Sequence, residues 1–219
     1  MQDFQPIIPI LSLPSVVLFP RSLVSLQLPD ELSDIAMGEW LTEGAIWGVA
    51  TQRTDGETST FPGEYPQVFR TVGIGCVVHR ERENGRMKRL VIEGMARGKI
   101  LDPDKDPCPA VRVQVLRDYV NIEGSRRQEL AHAFAEMVRA ARRVAASETG
   151  LRDPIRRVLA AHPHPGVVAD LLAHRCVSDT YARQCILDEL DVCRRARLVQ
   201  IQLARMVTSQ SLQPLRKFR

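Results

Sequence analysis

Aromatic residues are scarce in this sequence, and signals for export or membrane insertion are missing from it. Phe, Trp and Tyr together make up 5% of the 219 residues. No apolar run approaches the roughly 18–20 residues that a membrane-spanning helix needs. The first ten residues, MQDFQPIIPI, contain an acidic residue and lack the basic segment that opens a signal peptide. We therefore expect a soluble, cytoplasmic protein.

Motifs for nucleotide hydrolysis and nucleophilic catalysis are also missing. The sequence has no GxxxxGK[ST] phosphate loop and no GxSxG turn to present a nucleophilic serine. Asp188, Glu189 and Asp191 place carboxylates close together, but on an amphipathic helix such residues most simply form a solvated face. The sequence consequently predicts a protein that is not an enzyme and that uses no cofactor.

The five cysteines do not form a metal-binding pattern. They include no CxxC pair, and their odd number in a chain without an export signal favours buried thiols over disulfides. His162, His164 and His174 lie near three of them, but zinc sites typically draw ligands from close pairs such as CxxC or HxxxH. Cys185 and Cys193 are eight residues apart, so we expect buried helical thiols and no metal site.

Charge is distributed unevenly along the chain. Residues 1–120 contain 13 Lys and Arg and 16 Asp and Glu, a net charge of −3, whereas residues 121–219 contain 17 and 10, a net charge of +7. The positive charge is spread along predicted helices and is not clustered. Positive charge that is spread in this way affects solubility and non-specific association, and it is not by itself a sign of a nucleic-acid site.

Residues 1–120 have the patterns of short β-strands. LPSVVLFP, residues 13–20, holds apolar residues between two prolines; because proline removes a ladder donor, it predicts a bent strand or two short strands at a corner. Asn84-Gly85 is a preferred type I′ hairpin turn. The predicted hairpin register pairs Glu83 with Arg86, Glu81 with Lys88, Val78 with Val91 and Val77 with Ile92. Short strands, bends and one hairpin together predict a compact, partly closed β-barrel.

Residues 121–219 have helical periodicity. SRRQELAHAFAEMVRAARRVAAS spaces its apolar residues as a helix does, and it begins with Ser125 and Gln128 in capping-box spacing. We expect Gly150 to end this helix and Asp153-Pro154 to begin the next. Further helical segments with short connections predict a bundle. The expected architecture is α+β, with a β lobe over residues 1–120 and a helical lobe over residues 121–219.

Five stretches occur in an order typical of one protein family. They are IPILSLPSVVLFPRSLVSLQL, VGIGCVVHRERENGRMKRLVIEGMARGKI, AVRVQVLRD, VVADLLAH and RQCILDELDVCRRARLVQIQLARMV. Together they resemble the N-terminal, substrate-recognition domain of the ATP-dependent Lon protease family. The resemblance implies a PUA-like, bent-sheet pseudo-barrel followed by a helical lobe, with Pro14 and Pro20 at bends of the first strands. The family usually has glycine after the Phe-Pro pair, where this sequence has Arg21, and the acidic PDELSD segment also departs from the family pattern.

The resemblance implies that this chain binds polypeptides, either unfolded substrates or a specific partner such as a separate protease or ATPase. The sequence ends at Arg219 without the family's ATPase and protease modules, so we expect neither activity. The candidate contact residues are Phe19 and, in the predicted loop TFPGEYPQVF, Phe61, Tyr65 and Phe69, because exposed aromatic residues favour interfaces. It is equally consistent with the sequence that this loop folds back over one end of the barrel.

RNA binding is the main alternative, because PUA-like folds also occur in RNA-binding proteins. The predicted hairpin is basic through Arg80, Arg82, Arg86, Lys88 and Arg89. However, Glu81 and Glu83 alternate with these cations, and the hairpin has no aromatic residue on which a base could stack. Polypeptide recognition is therefore the predicted function and RNA binding its alternative. The identity of the partner and the oligomeric state are left open.

Overall fold

The structure is a computed structural model that describes residues 5–27, 42–51, 71–83, 86–101, 110–120, 123–162 and 164–211. These residues form six strands followed by five helices, which confirms the predicted α+β class. The chain divides into two compact units, residues 1–117 and residues 118–219, which we call the β unit and the helical unit. Within the described residues, no helix is both long enough and apolar enough to cross a membrane.

The β unit is a barrel. Its strands are β1 (Ile7–Leu13), β2 (Leu23–Gln27), β3 (Ile46–Thr51), β4 (Thr71–Glu83), β5 (Arg86–Ile100) and β6 (Ala110–Leu116). They pair in the order β2-β5-β4-β3-β1-β6, and β6 pairs with β5 as well as with β1. Because this second pairing joins β6 back to the sheet, five strands form a closed ring. The predicted β-barrel is thus confirmed.

Strand β5 closes the ring because its two halves have different neighbours. Residues 89–93 pair with β2, whereas residues 97–100 pair with β6. Among the described residues of the unit, many of the buried apolar side chains fall into two clusters, one containing Trp47 and Leu90 and the other containing Val72 and Val113. One long, shared strand therefore connects two parts of the core.

The β4–β5 hairpin departs from the predicted register in its middle. Two predicted pairs are confirmed: Glu83 with Arg86, and Val77 with Ile92. Two others are wrong, because Glu81 pairs with Arg89, and Val91 pairs with His79. Lys88 and Val78, the predicted partners, are each an extra residue at a β-bulge. A register extended uniformly from the turn cannot include such an insertion.

The segment between β1 and β2 is a loop. β1 ends directly before Pro14, and β2 begins three residues after Pro20. Leu18 and Phe19, in the middle of the loop, are completely buried. Of the two predicted forms, the single bent strand is therefore wrong. The segment contains two separate strands, as the alternative expected, but the prolines lie in the loop that joins them, and this loop contributes side chains to the core.

This loop packs directly on the backbone of β5. A Cβ atom at Gly94 would collide with the carbonyl oxygen of Phe19. The N–H of Arg21 donates to the Gly94 carbonyl at 2.6 Å, and the Gly94 N–H donates to the Ser22 carbonyl at 2.8 Å. Arg21 has φ of 62°, in the left-handed region that favours glycine. Glycine would adopt this backbone conformation without strain, whereas Arg21 adopts it at a cost in free energy.

The described residues of the helical unit form five helices. They are α1 (Ser125–Ser147), α2 (Thr149–Ala161), α3 (Pro165–Cys176), α4 (Thr180–Asp188) and α5 (Val192–Ser211). The N-cap of α1 is Gly124, and no side chain caps the helix. The predicted capping box of Ser125 and Gln128 was therefore wrong, because Ser125 already lies within the first turn.

The junction of α1 and α2 also differs from the prediction. Glu148 has extended backbone angles and is both the C-cap of α1 and the N-cap of α2. Gly150 and Pro154 consequently lie inside α2, and the predictions that they separate two helices were wrong. The chain turns through one residue here, so the turn depends on the backbone of Glu148 and not on a nearby glycine or proline.

A buried ion cluster joins parts of the helical unit. Arg195 on α5 is completely buried, and its Nη1 and Nη2 donate to Oδ1 and Oδ2 of Asp118 at 2.9 and 2.5 Å. Its Nε lies 3.4 Å from Oδ1 of Asp170, a buried residue on α3. Burial lowers the pKa of Arg195, but hydrogen bonding to Asp118 and the charges of Asp118, Asp170 and Glu189 outweigh burial, so the pKa lies above its ordinary value. The cluster fixes the first residue of the unit against α3 and α5.

Candidate functional site

A row of side chains crosses four strands on the outside of the β unit. The register pairs Leu23 of β2 with Glu93 of β5, Glu93 with Cys76 of β4, and Cys76 with Ile46 of β3. Directly paired residues place their side chains on the same face of a sheet. With about 4.8 Å between neighbouring strands, the row extends over about 14 Å. Leu23 and Ile46 are large apolar side chains that are 55% and 37% exposed.

Apolar side chains continue this face along β4 and β5. Val78 at the β4 bulge is 39% exposed, and Met95, two residues beyond Glu93 on β5, is 57% exposed. Val91, the pairing partner of His79, is half-buried. We define the outer sheet face as Leu23, Ile46, Cys76, Val78, Val91, Glu93 and Met95.

Glu93 is the charged member of the outer sheet face. Its carboxylate forms no hydrogen bond or ion pair with any residue that the structure describes. Closer to the hairpin turn the face becomes polar, where Nε of Arg89 donates to Oγ of Ser25 at 2.6 Å. Within the described residues, the face therefore offers apolar contact around a negative charge that has no ion-pair partner, an arrangement that attracts apolar groups accompanied by a cation.

Strand β2 forms one side of this face. Among the described strands, β2 pairs with β5 alone. An edge strand can pair with an extended peptide through its backbone groups, while pockets along the face select the side chains. The arrangement is suited to binding a polypeptide.

Of the four aromatic contact residues predicted from the sequence, Phe19 alone lies among the described residues. Phe19 is completely buried, so its ring is not exposed to a partner and its burial does not favour a contact role. Phe61, Tyr65 and Phe69 lie outside the described residues, and their role stays a prediction. Sequence reasoning missed the outer sheet face. The available signal was Leu23, an apolar residue on the otherwise polar side of the SLVSLQL alternation.

The cysteines of the helical unit are shielded from solvent in a way that disfavours the thiolate form. Burial raises the pKa of Cys176 to about 11, although the neighbouring Arg175 opposes this shift. Burial also raises the pKa of Cys185 and of Cys193. A raised pKa leaves less of the reactive thiolate at neutral pH. Across the described ranges, no group of three or more His, Cys, Asp or Glu side chains is arranged to hold a metal ion.

Sequence comparison identifies the family. The model of the ATP-dependent protease La (LON) substrate-binding domain matches residues 7–205. The Lon protease of Roseiflexus castenholzii is 31% identical over 205 residues, which cover 90% of this chain and 24% of that protein. The Lon protease of Dictyoglomus thermophilum is 26% identical over 211 residues, which cover 93% and 25%. The chain thus spans about a quarter of the length of the curated relatives it matches.

Solved structures share the fold. The N-terminal domain of Mycobacterium avium complex Lon protease matches with a TM-score of 0.64 at 15% identity, covering 91% of this chain and 98% of that one. The Lon N-terminal domain protein from Xanthomonas campestris matches with a TM-score of 0.50 at 17% identity, covering 87% and 94%. At these identities the likeness concerns the fold, whereas the family model spans nearly the whole sequence. The chain belongs to the family of ATP-dependent protease La (LON) substrate-binding domains.

Proposed function

We propose that this chain recognises polypeptides and that the outer sheet face binds an extended segment containing apolar side chains and a basic residue. The description of the family as a substrate-binding domain supports a polypeptide as the ligand. The observation that carries the proposal is the exposed apolar row across β2, β5, β4 and β3, within which Glu93 has no hydrogen-bond or ion-pair partner among the described residues.

Apolar contact supplies most of the proposed affinity. Burying apolar surface contributes about 25 cal/mol per Å², and folded proteins keep most of their large apolar side chains inside. A face of this kind therefore binds unfolded or extended segments in preference to folded proteins. Glu93 contributes selectivity, because a carboxylate repels acidic segments and attracts basic ones.

This role requires no covalent chemistry from the chain, and we propose none. A separate protease or ATPase that receives the bound polypeptide is the further partner that the proposal includes, and the cytoplasm is the proposed compartment. Phe61, Tyr65 and Phe69 remain proposed contact residues, in addition to those of the outer sheet face.

The test is a titration of the whole chain with a labelled, permanently unfolded polypeptide at low and raised salt. We expect binding that persists at raised salt and that weakens about tenfold in a Leu23→Ser, Val78→Ser variant, since two apolar contacts are removed. Ile7→Ser with Val115→Ser is the matched control, because it removes exposed apolar residues from β1 and β6 of the same unit.

Two results would contradict the proposal. Unchanged polypeptide binding by the folded Leu23→Ser, Val78→Ser variant would exclude the outer sheet face as the binding site. A parallel titration with mixed-sequence single-stranded RNA tests the alternative function. RNA binding that weakens steeply as salt rises, without polypeptide binding, would favour RNA, because that slope reports phosphate contacts.

A further inference from the structure

An apolar depression lies on the helical unit, between α1 and α2. It is open to solvent, and its volume of about 470 Å³ lies within the range of about 300–1,000 Å³ that is usual for binding pockets. Ala145 and Ile155 are buried in its lining, and Leu159 is half-buried. Arg142 from α1 and Arg156 from α2 complete the lining with two positive charges. We call this depression the α1–α2 groove.

The two groove arginines are available to a ligand. Arg142 and Arg156 are exposed, and neither forms a hydrogen bond or ion pair with a residue in the described part of the chain. Their neighbours Arg152 and Arg157 differ, since each places Nε near a backbone carbonyl, at 3.3 and 3.5 Å. Residues 139–161 contain six arginines and two acidic residues, so local carboxylates do not balance the charge.

We propose that the α1–α2 groove binds an acidic, amphipathic segment of a partner protein. Carboxylates of the segment pair with Arg142 and Arg156, because a guanidinium can donate two parallel hydrogen bonds to one carboxylate. An apolar side chain of the segment fills the space over Ala145, Ile155 and Leu159. This surface is separate from the outer sheet face and has the opposite charge, so the inference goes beyond the proposed function.

The lining of the groove favours a protein ligand over a nucleic acid. Single-stranded nucleic acids are held by a basic groove together with aromatic side chains on which the bases stack. Among the residues that the structure describes, none that lines the α1–α2 groove is aromatic, and the floor that they form is aliphatic. Charge alone attracts phosphates, but the aliphatic floor contributes only to a ligand that carries apolar side chains.

The test uses the whole chain and two labelled peptides, one built from leucine and glutamate in a helical pattern and one with lysine in place of each glutamate. We expect the acidic peptide to bind and the lysine peptide not to bind at the groove. Arg142→Gln with Arg156→Gln should weaken acidic-peptide binding about five- to tenfold. Ala146→Phe, which fills the groove without changing charge, should weaken it as well, because Ala146 lines the groove.

A matched control separates the groove from net charge. Arg127→Gln with Arg175→Gln removes the same charge from exposed positions of the same unit, and we expect binding within about twofold of the unmodified chain. Equal weakening by the two arginine pairs would overturn the inference, and so would unchanged binding to the Ala146→Phe variant. Tighter binding of single-stranded RNA than of the acidic peptide, lost in the Arg142→Gln, Arg156→Gln variant, would assign the groove to nucleic acid.

This inference can fail separately from the proposed function. Leu23→Ser with Val78→Ser should leave acidic-peptide binding unchanged. Loss of acidic-peptide binding in that variant would contradict the assignment to the α1–α2 groove, whereas loss of unfolded-polypeptide binding alone would leave the groove unaffected.

Discussion

The β unit and the helical unit are each stabilised internally by a different kind of interaction. In the β unit, a loop lies directly on strand backbone, and Gly94 leaves room for the carbonyl oxygen of Phe19. In the helical unit, the charge of Arg195 is buried between Asp118 and Asp170. The first arrangement depends on the absence of a side chain, and the second depends on three charges being present together. Added volume should therefore be most damaging in the β unit, and a lost charge in the helical unit.

The two proposed binding surfaces, one on each unit, carry opposite charges. The outer sheet face surrounds Glu93 with apolar side chains, whereas the α1–α2 groove combines an aliphatic floor with Arg142 and Arg156. Both surfaces offer apolar contact, but they favour opposite charges on a bound polypeptide. Each can consequently be altered by substitutions that leave the other unchanged.

The largest expected effect comes from the buried charge. Arg195→Met leaves Asp118 and Asp170 without their shared cation, and breaking a buried ion pair in this way costs about 3–5 kcal/mol. Urea unfolding followed by circular dichroism measures the loss. Arg194→Met, an exposed neighbour on α5, is the control and should change stability by no more than about 0.5 kcal/mol. A loss below about 1 kcal/mol at Arg195 would contradict the role given to the cluster.

The second-largest expected loss of stability comes from adding a side chain at a crowded glycine of the β unit. Gly94→Ala places a methyl group against the Phe19 carbonyl, so either the loop or β5 must move, at a cost of about 2–3 kcal/mol in unfolding free energy. The control is Gly150→Ala in α2, where a Cβ atom meets nothing within 4 Å. Alanine there should stabilise the protein by about 0.5–1 kcal/mol through helix propensity. Equal effects at the two glycines would remove the contrast between them.

A buried thiol makes the stability of the helical unit depend on pH. The pKa of Cys176 is about 11 in the folded chain, against an ordinary value of 9.0. Between these values the folded state retains a proton that the unfolded state has lost, so stability falls as pH rises, by about 2–3 kcal/mol. We expect Cys176→Ser to remove this component from unfolding measured at pH 8 and pH 11. An identical pH dependence in the variant would contradict the assignment of this fall in stability to the Cys176 thiol.

The smallest expected effect is a gain in the β unit. Arg21→Gly replaces a residue held at φ of 62° by one that adopts this angle without strain. Relief of about 1–2 kcal/mol is partly offset by the greater freedom of glycine in the unfolded chain, which leaves a gain of about 0.5–1 kcal/mol. Ser15→Gly in the same loop should destabilise, because Ser15 is not at positive φ. Destabilisation by Arg21→Gly would show that the arginine side chain has a compensating role.

Local patterns predicted the kinds of elements but not their irregularities. Alternation and the Asn84-Gly85 sequence were sufficient to predict a hairpin and two of its four expected pairs, Glu83 with Arg86 and Val77 with Ile92. The bulges at Val78 and Lys88 were not predictable, because one inserted residue is accommodated by twist and has no local sequence signature. Gly150 and Pro154 are helix-ending signals, yet they lie within α2, since tertiary packing overrides local propensity.

The candidate site was less predictable than the fold. Leu23, Cys76, Glu93 and Ile46 come from four strands, and only the barrel pairing brings them into one row. Aromatic composition directed attention instead to Phe19, which the loop buries. Exposure depends on pairing between segments distant in sequence, and the alternation within each strand does not specify which strands become neighbours.

The most direct test of the account measures the binding of two unfolded peptides, one apolar and basic and one apolar and acidic, to two variants of the whole chain. Glu93→Gln should weaken binding of the basic peptide alone, and Arg142→Gln with Arg156→Gln should weaken binding of the acidic peptide alone. That result would support two polypeptide-binding surfaces of opposite preference. Equal effects of both variants on both peptides, or no effect of either variant, would contradict it.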